Sequence, residues 1–465
     1  MSDTRDAVVI GAGPAGLAAA TLLAEHGAGV LLLDEQDAPG GQIYRGIEAA
    51  RQNRALFRAL GADYRHGEGL VTKFRRSGVE YCPQSVVWQV TADREVWFSQ
   101  AARSRRIRAG LVILATGAME RPVPVPGWTL PGVLTAGALQ IMLKTAGVAP
   151  AVPFVVAGSG PLLYLLIRQC LAVNVRPAAI LDTTARANSQ RALSHLPAAM
   201  AGATSRGYLA KGLAMLVALR RSGVPHYRDV SDLHIEGSDA VTGIAFRSGD
   251  ARHHLSTRLV ALHEGVIPAQ QAARSIGCEF AWDAVQCCFF PRTDPWGNSS
   301  VEGVMVAGDA GGIGGARAAE HAGRLAALEA LRHLGRIDAA RRDALAAADR
   351  RGWRAHLAVR RFLDVRYAPR AEVLVPADAV TVCRCEEIRA GAVREVVKQG
   401  CLGPNQAKAF LRAGMGPCQG RLCGPVVTAL IAETRGVSPA EVGYYRIRPP
   451  LKPLTVGGLI GLSPT

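Results

Sequence analysis

A short apolar strand that runs directly into three spaced glycines and then into a helix restricts this chain more than any other feature. Ala7-Val8-Val9-Ile10 leads into Gly11-Ala12-Gly13-Pro14-Ala15-Gly16, and Leu17 to His26 reads as an Ala/Leu helix stopped by Gly27 and Gly29. Gly11 permits the tight turn, Gly13 admits a pyrophosphate to the backbone, and Gly16 lets helix and strand pack closely. Free N–H groups at the helix start then face the phosphates. A second strand, Val30 to Asp34, delivers Glu35 nineteen residues after Gly16, where a carboxylate accepts ribose hydroxyls. An ordinary crossover turn does not account for that acid. The expectation is a dinucleotide site on Gly11, Gly13, Pro14, Ala15, Gly16 and Glu35.

Two more strand-to-turn junctions narrow the ligand. Val112-Ile113-Leu114 enters Ala115-Thr116-Gly117, and Val304-Met305-Val306-Ala307 enters Gly308-Asp309, ahead of Gly311, Gly312, Gly314, Gly315 and a helix from Ala316. An aspartate at a strand end, beside a helix start, can hold a polyol hydroxyl while the helix dipole faces a phosphate or an electron-rich ring. A ribityl chain has that need, which points to FAD. These marks resemble the glutathione-reductase-like flavoproteins. Within them, Gly40-Gly41-Gln42-Ile43-Tyr44, the run Gly132 to Ala138 and His263-Glu264-Gly265-Val266-Ile267-Pro268 resemble the alpha subunits of heteromeric flavin dehydrogenases. Those enzymes act on opines, on D-hydroxyproline, or on glycine to form hydrogen cyanide. The resemblance covers nearly the whole chain and implies that Gly41 and Gln42 join the FAD contacts. It places His263 near the flavin, with no base role assigned. It also implies that amine oxidation occurs at another flavin in a beta subunit, with or without a small third subunit. This chain would then relay electrons toward a quinone, a cytochrome or an artificial acceptor.

An internal repeat predicts a second nucleotide-type domain. Phe154 to Ala157 leads to Gly158-Ser159-Gly160-Pro161-Leu162-Leu163, a helix through Cys170, and a strand Ala178 to Leu181 ending at Asp182; Gly11 to Glu35 and Gly158 to Asp182 are both separations of 24. Leu163 stands in the place of Gly16, so helix and strand are expected farther apart. Gly158, Gly160 and Asp182 would suit NADH or an adenine nucleotide, Asp182 repelling a 2'-phosphate; a mainly structural domain is the other reading.

Cysteine placement is the most specific signal. Five of the ten Cys fall within 41 residues, and four form Cys383-x-Cys385, 32 intervening residues, then Cys418-x4-Cys423. Four soft thiolates suit zinc or an iron–sulfur cluster. Zinc sites more often use Cys-x2-Cys pairs. The observed spacing, with Cys418-Gln419-Gly420-x2-Cys423, resembles the [2Fe–2S] domain of bacterioferritin-associated ferredoxin. Four unligated core cysteines are the remaining alternative. Two short helices, Glu386 to about Lys398 and Gln406 to about Arg412, are expected between the pairs. Segment 381–430 carries seven Lys/Arg against three Glu, a surplus of four that offsets an anionic cluster. Cys401 has no assigned duty beyond that of a small buried residue.

The predicted fold class is α/β: a two-dinucleotide-domain flavoprotein with a small helical C-terminal [2Fe–2S] domain. Expected boundaries are 1–140 and 257–335 for the FAD domain, 141–256 for the second nucleotide domain, 336–380 for a basic linker, 381–435 for the cluster and 436–465 for an extended tail. Adjacent Cys287 and Cys288 are too strained for disulfide cycling, and His263, His321 and His356 lack metal-ligand spacing. No catalytic residue is expected on this chain. Ten Cys are too sparse for a secreted disulfide scaffold, no signal peptide is read, and the prolines and glycines in Ala149–Ile167 argue against a transmembrane segment. The cytoplasm is the expected compartment, with peripheral attachment at the inner membrane face as its variant. The net charge of +16 comes from Arg spread over many helices without interleaved aromatics, so nucleic acid is not an expected partner.

The expected function is the electron-transferring subunit of a dehydrogenase for an imino acid, opine or related secondary amine, D-hydroxyproline slightly preferred. An NADH-dependent flavin/iron–sulfur reductase and a structural or assembly subunit are the alternatives.

Overall fold

The computed structural model describes residues 4–460. Residues 1–3 of the expected FAD domain and 461–465 of the expected tail lie outside the described residues.

The glycine turn lies at the centre of a seven-stranded sheet. Strand Thr4–Ile10 pairs in parallel with Val30–Leu33 on one side and Arg103–Leu114 on the other. Glu80–Cys82 extends the sheet beyond Val30–Leu33, and Val304–Val306 joins Arg103–Leu114 in parallel from far along the chain. These strands do not alternate between a buried and an exposed face: Ala7, Val8, Val9, Leu31, Leu32 and Leu33 are all fully buried, as expected of parallel strands covered by helices on both faces. Helices Pro14–Glu25 and Ala316–His333 pack together on one face, where Gly323 lets the backbones approach: a Cβ there would lie 2.1 Å from the Ala15 carbonyl oxygen.

A second, five-stranded parallel sheet runs His226–Arg228, Ala179–Asp182, Phe154–Ser159, Leu259–Glu264, Val133–Thr135. Its last two strands, Leu259–Glu264 and Val133–Thr135, fall within the ranges expected for the first domain, yet hydrogen bonding places them here. The chain does not return to the first sheet at the expected boundary of 257: Ala251–Ser256 just before it pairs antiparallel with Gly243–Ser248, and the chain rejoins the first sheet only at Val304.

The expected linker packs on the flavin side. Helix Ala339–Leu357 lies along Ala316–His333, and Arg342 and Arg350 cover the Trp296 ring at 4.0 and 4.1 Å. Glu329 joins the two helices through Arg342 at 2.6 Å, and Arg332 one turn on in its own helix also pairs with it at 2.7 Å. Burial pushes its carboxyl up, but hydrogen bonds from Arg332 and Arg342 outweigh burial and hold it down to about 2. A carboxyl depressed in this way contributes stability that is complete above its unfolded value of 4.5 and is lost as pH falls toward 2. Glu329→Gln is therefore expected to lower the urea midpoint at neutral pH and to converge with the wild type near pH 2. An equal gap at both pH values would contradict the assignment.

The C-terminal unit is built on a small hairpin, Thr381–Cys383 with Ile388–Arg389, and helices Ala390–Lys398, Pro404–Leu411 and Gly424–Arg435. The first helix begins later than expected because Glu386 and Glu387 form the hairpin turn, Glu387 with φ 55°. This unit is not tethered loosely. Val382, Val393, Val427, Leu430 and Ile431 share one continuous core with Val8, Ile10, Leu31 and Val304 of the first sheet. At roughly 1.5–3 kcal/mol per fully buried aliphatic side chain, a few such residues suffice to hold the two units together. Among the described residues, no helix is long and apolar enough to cross a membrane.

Candidate functional site

The first turn is assembled from contacts that tolerate no Cβ. At Gly11, with φ 106°, a Cβ would lie 2.5 Å from the Ala115 carbonyl oxygen; at Gly16 it would lie 1.8 Å from the Gly11 carbonyl oxygen; at Gly41 it would lie 2.7 Å from Gly13 Cα. Gly308 is equally close to Ala15, 2.7 Å from its Cβ. The structure thus brings Gly11, Gly13, Ala15, Gly16, Gly41, Ala115 and Gly308 into one cradle at the start of helix Pro14–Glu25. Pro14 occupies its first turn, and no side chain caps it. Open N–H groups on glycine-lined backbone are what a pyrophosphate requires.

Around the cradle, Thr116 donates its hydroxyl to the Ala269 carbonyl at 3.3 Å, and Ala269 N–H donates to the Gly117 carbonyl at 3.0 Å. The Gln42 carbonyl accepts from buried Lys144 at 3.2 Å. Burial lowers the Lys144 pKa to about 7. Asp309 Oδ1 accepts from Gly314 and Gly315 N–H at 2.8 and 2.9 Å, which fixes the carboxylate beside the start of helix Ala316–His333.

The acid at the end of the second strand needs correction. Ile10 pairs with Leu33, so Gly11 stands opposite Asp34, whereas Gly158 pairs with Asp182. The structural counterpart of Asp182 is therefore Asp34, and the equal separations of 24 match the wrong residue because the second copy has one more residue before its acid. Asp34 is 7% exposed and accepts from Ala12 N–H and, at 2.7 Å, from Gln36 N–H. Asp182 makes the same turn with Thr184 N–H at 2.9 Å. Burial raises the Asp34 carboxyl, against the two backbone hydrogen bonds that lower it. Glu35 is the exposed neighbour, paired with Lys452 of the C-terminal segment.

In the second copy, a Cβ at Gly158 would lie 1.7 Å from the His263 carbonyl oxygen, and Gly160 faces the His263 ring. His263 is buried and bonded to Glu120 at 2.7 Å. Leu163 is fully buried in its own core, and Asp182 is taken up by the Tyr164 hydroxyl at 2.5 Å as well as by Thr184. The first and second sites are thus unequal: one presents open backbone, the other is filled by its own side chains.

At the C-terminus the four predicted cysteines converge. Cys423 contacts both Cys383 and Cys418, and Cys418 contacts Cys385. The hydrogen bond from Cys423 draws the Cys418 thiol down to about 5 and the Cys383 thiol down to about 6. Cys423 itself is pushed up by the same two neighbours, and burial raises Cys385. Among the described residues no three His, Cys, Asp or Glu side chains are set to hold a single metal ion. Four thiolates in mutual contact are the all-thiolate donor set that an iron–sulfur cluster uses. Gly416 makes room: a Cβ there would lie 2.2 Å from Cys385 Cβ. Cys401 is not part of this group; it is buried with its thiol on the Gly403 carbonyl at 3.4 Å.

Two features escaped the sequence. Gly323 sits mid-helix in an Ala-rich run, a pattern that does signal close backbone approach. Tyr444 and Tyr445 close over the cysteine turn, where Gly414 and Gly420 admit the Tyr445 ring and Gly424 admits the Tyr444 hydroxyl. Nothing local marks that pairing, which comes from chain return.

Residues 5–162 match the family of pyridine nucleotide-disulphide oxidoreductases, and residues 381–433 match the BFD-like [2Fe-2S] binding domain. The chain is 48% identical over 458 residues to the opine oxidase A-subunit of Rhizobium meliloti (strain 1021), covering 98% of both chains. It is 31% identical over 479 residues to the HcnB subunit of hydrogen cyanide synthase from Pseudomonas aeruginosa, covering 96% of both. Among solved structures, L-proline dehydrogenase from P. horikoshii is similar in fold, with a TM-score of 0.70 at 19% identity over 98% of this chain and 79% of that one.

Proposed function

Because the chain belongs to the family of the opine oxidase A-subunits, we propose that it is the electron-transferring subunit of a dehydrogenase for opines or closely related secondary amines. It is an FAD- and [2Fe–2S]-binding oxidoreductase subunit of a heteromeric flavin enzyme. The observation that carries the proposal is the shared core between the flavin-type sheet and the four-cysteine unit, which keeps the two cofactor sites in fixed relation. Bound together, the two groups supply a two-electron acceptor and a one-electron carrier.

Gly11, Gly13, Pro14, Ala15, Gly16, Gly41, Gln42, Ala115, Thr116, Gly117 and Gly308 would hold the FAD by backbone, Asp309 a ribityl hydroxyl, and Asp34, opposite Gly11, the adenosine ribose in place of Glu35. Each Asp34 oxygen accepts one backbone N–H and keeps a further lone pair for a ribose hydroxyl. Asp34→Asn removes one charge-assisted hydrogen bond, about 1.5 kcal/mol or roughly tenfold in Kd for FAD. Fluorescence titration of the apoprotein checks it, and an unchanged Kd would take ribose recognition away from Asp34. Cys383, Cys385, Cys418 and Cys423 would hold the cluster.

Amine oxidation itself is assigned to a flavin-containing beta subunit. D-hydroxyproline, a cyclic secondary amine, belongs in the substrate panel, but the relatives' names weigh toward opines. Copurification of the complex followed by an opine and imino-acid panel tests the assignment; full amine dehydrogenase turnover by this chain alone would overturn it. The occupation of Asp182 by Tyr164 and Thr184 supports a structural role for the middle domain over NADH use. Stopped-flow mixing with NADH should leave the flavin oxidised on the timescale of turnover.

A further inference from the structure

The helix Gln271–Ile276 follows directly on the segment that pairs with the flavin-side turn, through Ala269 to Gly117 at 3.0 Å. Arg274 projects from it into a cage of three rings. Its guanidinium carbon lies 3.9 Å from the centre of Phe280, 4.2 Å from Tyr444 and 4.9 Å from Phe289. Nε donates to Gln270 at 2.8 Å, while Nη2 is buried without a hydrogen-bond partner. No carboxylate faces this cation among the described ion pairs. Burial lowers its pKa to about 10, which leaves it charged at neutral pH. Cation–π contacts offset part of the cost of desolvating such a group, but a part-buried charge with no carboxylate beside it is still unfavourable. A nearby anion would relieve that cost.

Tyr444 joins this cation to the cysteines. One face of its ring takes Arg274, and its hydroxyl donates to the Gly420 carbonyl at 3.3 Å, inside the turn between Cys418 and Cys423. Tyr445 stands edge-on to it at 5.9 Å between ring centres and brings its own hydroxyl 3.9 Å from the Cys423 sulfur. A chain of contacts therefore runs from the flavin-side turn through helix Gln271–Ile276, Arg274 and Tyr444 to the cluster turn.

We propose that Arg274 and Tyr444 form the bridge between the two redox sites, Tyr444 as the path for the electron and Arg274 as the ring-caged, part-buried cation that favours its arrival on the cluster. The proposal rests on the electron-transfer function inferred above. Each transfer takes one electron from the flavin and adds one to the cluster, with no bond made or broken at the tyrosine. Amine oxidation in the partner subunit supplies the electrons, and a one-electron acceptor drains them from the cluster. A reduced cluster carries one more negative charge, so a fixed cation nearby favours reduction.

The test uses the complex purified with its partner subunit, after iron, sulfide and FAD have been quantified. Two quantities are read: the rate of electron equilibration after flash reduction of the flavin, and the cluster midpoint potential from a redox titration followed by electron paramagnetic resonance. Tyr444→Leu is expected to slow equilibration at least tenfold, while Tyr444→Phe, which keeps the ring, stays near the wild-type rate. Arg274→Met is expected to shift the cluster midpoint negative by about tenfold in equilibrium constant, or about 59 mV for one electron. Arg274→Lys should shift it less. An unchanged rate in loaded Tyr444→Leu, or an unchanged midpoint in loaded Arg274→Met, overturns the bridge. If Tyr444→Leu does not load its cluster, the Arg274→Met midpoint decides. A wild-type complex without iron or without FAD on this chain would instead overturn the electron-transfer function.

Discussion

Cys423→Ser is expected to remove the visible absorption and the reduced-state paramagnetic signal of the [2Fe–2S] cluster completely, while FAD content stays near one per chain. Cys423 touches both Cys383 and Cys418 and is 1% exposed at the start of helix Gly424–Arg435. A serine there replaces a soft thiolate by a hard, weakly acidic oxygen that iron–sulfur cores bind poorly. Metal-site binding energy is also folding energy, so thermal stability of the C-terminal unit should fall with it. The flavin cradle lies on other elements and should keep its ligand. Cys401→Ser is the matched control: it is buried in the same unit but bonded to Gly403, and it should retain full iron and sulfide. Iron and sulfide analysis with absorption spectra checks both variants, and a cluster retained in Cys423→Ser would contradict the assignment of its sulfur as a ligand.

Gly16→Val is expected to abolish FAD retention and to destabilise the first domain by about 3 kcal/mol or more. The added Cβ would lie 1.8 Å from the Gly11 carbonyl oxygen and 3.3 Å from Ala115 Cβ, and the first obstacle is backbone rather than a side chain that can swing away. Relief requires helix Pro14–Glu25 to move off the strand, which carries the open N–H groups away from the phosphates. Gly69→Ala provides the control within a helix, because a Cβ at Gly69 meets nothing within 4 Å. That substitution should be neutral or stabilising by about 0.5–1 kcal/mol. Bound FAD per chain and the urea midpoint together separate the two cases.

Sequence is informative here wherever the constraint is local. Gly11, Gly13 and Gly16 obey spacing rules set by one turn, and Cys383, Cys385, Cys418 and Cys423 obey rules set by one donor set, so both groups are legible without the fold. Register is different. Whether Asp34 or Glu35 faces the turn depends on how Val30–Leu33 pairs with its neighbour, and a difference of one residue between the two copies is invisible to counting. Sheet membership is hidden for the same reason: only hydrogen bonding assigns Leu259–Glu264 and Val133–Thr135 to the second sheet. The C-terminal segment is expected from its prolines to lie extended over another domain or subunit. Within this chain it runs from the cysteine turn, at Tyr444, to Glu35 beside the glycine turn, at Lys452. Contacts of that range come from chain return and leave no periodicity to read.

Electron relay through this chain is tested most directly by rapid freeze-quench of the native complex after mixing with its amine substrate, with flavin absorbance and the cluster signal followed together. The iron of this chain is expected to be reduced within a single turnover, alongside bleaching of the flavin, and to be reoxidised when a one-electron acceptor is added. A cluster that stays oxidised through many turnovers, or a fully active complex whose four cysteines hold zinc and no iron, would contradict the relay.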